Sequence, residues 1–124
     1  MRDPVSLSYE LAAKMPALRA RLEQHRADFD ELLPHVFMGD VSRYAIEQYH
    51  HFARGAGDAA DALRLLFSIT EVAAREGTED VKELISVSFL ENIAAELADY
   101  PAFRAFLGPV LRRELEPILR DFGH

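Results

Sequence analysis

Apolar side chains recur along this chain at helical spacing almost from end to end. Leu11, Met15, Leu18, Leu22, His25 and Phe29 advance by alternating steps of four and three, which places them on one helical face. That pattern predicts helix over residues 6–29, either in one piece or in two joined near Met15 and Pro16. Pro16 suits the first position of a second piece, where its missing N–H costs nothing. Asp28, Asp30 and Glu31, followed by Leu33 and Pro34, predict the end of that helix and a loop. Asp40 then reads as the N-cap of a helix that carries Val41, Tyr44, Ala45, Gln48 and Phe52 to about Arg54. Gly55 and Gly57 stop it, and Asp58 is placed to cap the next one.

The clearest periodicity lies in residues 59–76. Asp61, Arg64, Ser68, Glu71 and Arg75 form one narrow polar stripe, with Leu63, Leu65, Leu66, Phe67, Ile69, Val72 and Ala73 between them. A helix with one thin wet edge is mostly buried. Asp61 with Arg64, and Glu71 with Arg75, are spaced to pair along the stripe. Gly77 and Thr78 break the chain, Thr78 caps, and Glu79, Asp80 and Glu83 favour the positive end of a helix running to about Ala98. Val81, Leu84, Ile85 and Phe89 face one way on it, while Val87, Leu90, Ile93 and Leu97 spread over other sides, as in a helix with several neighbours. Tyr100 and Pro101 open a short helix ended by Gly108. Pro109 starts a last helix, kinked at Pro117, with Val110, Leu111, Leu115, Ile118, Leu119 and Phe122 inward.

Strand-like alternation and hairpin turn signals do not occur. The expected fold is therefore all-α: a compact bundle of five to seven helices, with a central antiparallel hairpin made of about 59–76 and 79–98. One domain over residues 1–124 fits the length. A chain of this size hides roughly two-thirds of its unfolded surface, enough for an ordinary core.

Charge and composition narrow the function. The net charge of −7 is carried by residues 55–100, where ten acidic side chains face three basic ones. Such a field repels phosphate backbones and attracts basic partners; the same charge also serves solubility. There is no cysteine, so disulfides and thiolate metal sites are excluded. The start of the chain lacks the apolar run of a signal peptide, and no stretch is long enough to span a bilayer, so a cytoplasmic protein is expected. Scattered basic residues argue against nucleic acid, and the acidic character of the strongest helix argues against a membrane surface.

Catalytic and cofactor signatures are wanting. Glu47 and His50 have the Glu-x-x-His spacing of di-iron bundles, but a second copy does not occur. His50 and His51 lack the rest of a zinc-protease motif, and His25, within an apolar row, reads as a packed ring bonded to a backbone carbonyl. No nucleophile elbow, phosphate loop or dinucleotide fingerprint is found. The expectation is a non-enzyme without cofactor or bound metal. One oddity is that Ser88, Glu91 and Asn92 lie on or beside the apolar face of a buried helix. Buried polar groups need partners, and backbone in a loop over residues 34–40 is expected to supply them. The alternative is a groove for a small ligand or metal, lined by His35, Asp40, Ser88, Glu91 and Asn92. A third possibility is self-association through apolar surface such as Phe103, Phe106 and Phe122.

Three segments carry a resemblance: 32–40 (Leu-Leu-Pro-His-Val-Phe-Met-Gly-Asp), 84–93 (Leu-Ile-Ser-Val-Ser-Phe-Leu-Glu-Asn-Ile) and 107–115 (Leu-Gly-Pro-Val-Leu-Arg-Arg-Glu-Leu). Together they resemble a family of small all-helical bacterial proteins, mostly of unassigned function. Those proteins are similar to immunity proteins encoded beside polymorphic or contact-dependent toxins. The resemblance spans most of residues 16–116 and implies an inhibitor that binds and neutralises a toxin domain in the cytoplasm. It brings no catalytic residues with it. The acidic residues Asp58, Asp61, Glu79, Asp80 and Glu83 are the expected partner-binding patch, because acidic inhibitors gain steered association with basic toxins.

Overall fold

The computed structural model describes residues 3–121, and every regular element in them is helical. Helix α1 (Pro4–Lys14) opens with a reciprocal cap: the Asp3 carboxylate accepts from the Ser6 N–H, and the Ser6 hydroxyl accepts from the Asp3 N–H. Met15 is extended (φ −130°, ψ 104°), so residues 6–29 are two helices, with Pro16 opening α2 (Pro16–Phe29). Asp30 ends α2 in the left-handed region (φ 59°), which Asp tolerates better than most residues. Leu11, Met15, Leu18, Leu22 and His25 are buried as their spacing predicts. Phe29, at the frayed end of the row, is 47% exposed, its ring resting 4.9 Å from that of His25.

Helix α3 (Pro34–Ala53) corrects the expected loop. Pro34 is its first residue rather than a breaker, since a proline there sacrifices no hydrogen bond. Asp40 is consequently an interior residue and caps nothing; its carboxylate pairs with Arg43 instead. Helix α4 (Gly57–Glu76) follows Gly55 (φ 99°). Asp58 sits in its first turn without capping it, the N-cap being Ala56.

Thr78 does cap the next helix, accepting from the Val81 N–H at 3.3 Å. Gly77 is required at the turn, because a Cβ there would lie 2.5 Å from the Ala73 carbonyl oxygen. Helix α5 begins as Glu79–Glu83, widens into a π-helical stretch Leu84–Leu90, and resumes as Glu91–Asp99. That widening solves a phase problem. At about 100° per residue, Leu90, Ile93 and Leu97 would lie roughly 120° to 180° around a regular helix from Val81. An i→i+5 turn holds an extra residue and takes back about 100°. Val81, Leu84, Ile85, Leu90, Ile93 and Leu97 are accordingly all fully buried. Val87, on the opposite side, is 47% exposed rather than packed against a neighbour.

A single turn, α6 (Pro101–Arg104), leads to α7 (Pro109–Asp121), which continues through Pro117. Leu111, Leu115 and Ile118 face inward, with Val110 and Leu119 partly covered; Phe122 lies outside the described residues. The turn between α4 and α5 folds the chain back, bringing the Phe67 and Phe89 rings to 5.9 Å. The lengthwise neighbour of both helices, however, is α3, and α7 closes the far side against α4 and α5. Phe37, Phe67, Phe89 and Phe103 are fully buried, and Phe103 stacks on Tyr49 at 4.7 Å. Phe103 is thus core, not spare surface for self-association; Phe106 is half-buried, edge-on to Phe52.

Candidate functional site

The five carboxylates singled out in the sequence do not form one patch. Helix α4 has 20 residues and, at 1.5 Å rise per residue, is about 30 Å long. Asp58 and Asp61 stand at its start, whereas Glu79, Asp80 and Glu83 follow its end. Asp61 pairs with Arg64 at 3.0 Å on the open surface. The other three, all exposed, occupy the first turns of α5, close to the exposed Glu76. Buried Val81 and the Thr78 cap hold that turn rigidly, leaving the carboxylates free to point outward. Glu79 is 93% exposed and reaches Lys82 only at 3.7 Å. The acidic end of α5 is therefore a solvated array of negative charge carried on a seated helical turn.

The second candidate cluster is assembled in part. The His35 Nδ1 and the Ser88 hydroxyl lie 2.5 Å apart, joining the first turn of α3 to the π stretch of α5. Asn92 donates from its side-chain amide to the Ser88 carbonyl at 2.9 Å. Ser42 is buried, and the carbonyls of Met38 (2.9 Å), Ser88 (3.2 Å) and Phe89 (3.2 Å) all lie within reach of its single hydroxyl proton. The expected partners were loop backbone groups over residues 34–40, but that segment is helical. Widening α5 instead disturbs its own carbonyl ladder, and Ser42 and Asn92 supply donors to it. Asp40 turns to Arg43, its backbone carbonyl accepting from Arg21 at 3.1 Å. Glu91 is exposed, so neither it nor Asp40 joins the cluster. Among the described residues no carboxylate hydrogen-bonds the His35 ring. Ser88 is therefore set up as a pin between two helices, without the orienting third group of an activated nucleophile.

His25 and His50 are engaged separately. His25 is 2% exposed, and its Nε2 accepts from the Leu33 N–H at 2.9 Å, the reverse of the donation to a carbonyl expected from sequence. Glu47 is bonded to Arg21 at 2.6 Å, while His50 faces Glu96 at 3.7 Å. Among the described residues no group of three or more His, Asp or Glu side chains is gathered as a metal would require. No helix there is long and apolar enough to cross a membrane.

Burial raises the pKa of Tyr44 above its ordinary 10.0, opposed by the Arg21 charge and reinforced by that of Glu47. The Arg21 guanidinium lies 5.5 Å from the Tyr44 ring centre, tying α2 to α3.

Residues 9–122 match a family described as a domain of unknown function, DUF7674, and the chain belongs to that family. No curated protein and no solved structure matches it.

Proposed function

We propose that this DUF7674 domain is a protein-binding inhibitor, an immunity protein that neutralises a cognate toxin domain in the cytoplasm of the producing cell. The observation that carries this reading is the exposed acidic turn of Glu79, Asp80 and Glu83 on a rigidly seated helix. Because the backbone beneath these carboxylates is already ordered, only their side chains remain to be ordered on binding, and a negative field accelerates encounter with a basic partner. The concentration of negative charge in residues 55–100 adds to that field. Asp58 and Asp61 stand too far away to share a small contact with it; they would meet the same partner only across a broad interface.

The test is co-expression with the toxin C-terminal domain encoded beside this chain. Restored growth of the host and a stable complex on size-exclusion chromatography are the expected results. Unrelieved toxicity with no complex, or a neighbouring frame that encodes no toxin, would refute the proposal.

A further inference from the structure

An open cavity of about 580 Å³ lies between the end of α3, the middle of α4 and the chain from α6 to Gly108. We propose that it binds a small amphipathic anion, an apolar body bearing one carboxylate. Its volume is that of ordinary small-molecule sites, which are typically 300–1,000 Å³ and mostly apolar with a few polar groups. The apolar wall is made by the rings of Phe52, Phe67 and Phe106 together with Ala102 and Ala105. Phe52 and Phe106 meet edge to face at 5.4 Å, so this wall is packed rather than loose.

The polar wall is the middle of the α4 stripe: Arg64, Ser68 and Glu71. These three differ in what they leave available. Both Glu71 carboxylate oxygens are occupied, accepting at 2.9 Å from the N–H groups of Val110 and Leu111, at the positive end of α7. Among the described residues Arg64 is paired with Asp61 alone, and the two side chains are 65% and 81% exposed. Exposed pairs of this kind hold their partners weakly, so the guanidinium can turn to a ligand at little cost. An Arg offers two parallel donors to a carboxylate, and the Ser68 hydroxyl stands one turn further along the same stripe. Glu71 keeps its negative charge but directs it at the start of α7, so Arg64 is the charged group of this wall with donors to offer. A neutral apolar ligand would leave those donors unmatched.

The experiment is a titration of the intact protein with phenylbutyrate and, separately, with the neutral phenylbutanamide, followed by backbone amide NMR. Phenylbutyrate is expected to shift the Ser68, Ala105 and Phe106 amides saturably. The amide is expected to bind about tenfold more weakly, as a lost charge-assisted hydrogen bond predicts. Arg64→Gln should reduce phenylbutyrate to the affinity of its amide. Ala105→Trp, at an exposed position, should fill the cavity and abolish binding while the circular dichroism spectrum stays unchanged. Equal affinity for acid and amide, an unaltered affinity in Ala105→Trp, or no saturable shift at millimolar concentration would each overturn the assignment.

Discussion

The carboxylate of Glu71 accepts from the backbone N–H of Leu111, and its second oxygen from that of Val110, so one side chain of α4 caps the start of α7. Gly108 is what lets it do so, since a Cβ there would lie 2.6 Å from the Glu71 carboxyl carbon. Glu71→Ala is therefore expected to destabilise the fold by about 2 kcal/mol, the usual scale for a lost cap with partly buried donors. Gly108→Ala should be similarly harmful alone, yet cost much less in the Glu71→Ala background. Urea denaturation of the two single variants and the double variant gives the coupling energy. Strict additivity would mean that the close approach does not matter.

Gly39 is the contrasting case. It lies inside α3, and a Cβ there would meet nothing nearer than 3.9 Å, an ordinary contact. Gly39→Ala is expected to raise stability by about 0.5–1 kcal/mol, because alanine surrenders less backbone freedom in a helix. A lowered thermal midpoint would contradict this.

The π stretch makes an unusual demand on a deletion. Val87 is an exposed residue of the widened turn, so removing it should let α5 close into a regular α-helix with both halves still facing the core. The Val87 deletion should retain a cooperative thermal transition. Deletion of Ala95, in the regular part of the helix, should abolish it by rotating Leu97 off the core.

Tyr44 predicts a response to alkali. Its folded pKa is raised, chiefly by burial, so above the ordinary value of 10.0 the folded state holds a proton that the unfolded state has released. Stability conferred by this group is thus fully present below about pH 10 and is lost as pH rises through the folded pKa. The decline of unfolding free energy as pH rises above about 10 should be shallower in Tyr44→Phe. Identical slopes for the two proteins would show that Tyr44 does not govern this range.

Charge reversal at Glu79 and Asp80 separates binding from folding. Both side chains are exposed, so the double change to lysine should alter stability by about 1 kcal/mol or less, mainly through the helix dipole. Association with the neighbouring toxin domain should slow by about tenfold or more and lose most of its salt dependence in stopped-flow mixing. Collapse of the thermal transition with an unchanged association rate would make these residues structural.

Local spacing alone determined the helical class and most of the core, because apolar periodicity reports directly on which face is buried. Thr78 was legible as a cap, and Met15 and Pro16 as the place where a joint would fall if residues 6–29 were two helices. The acidic character of the middle of the chain was equally legible. Tertiary structure decided everything that depended on distance in space. It showed that Pro34 begins a helix, that α4 holds Asp58 apart from Glu79, and that Glu71 serves α7 rather than Arg75. The π turn belongs with these, since the wheel positions of Leu90 and Leu97 recorded a mismatch that only packing against α3 and α7 resolved. The physical reason is the same in each case. A periodic pattern fixes the face of a single helix and a capping residue its start, whereas cavities, shared patches and caps lent by another helix arise between helices whose relative placement no local signal encodes.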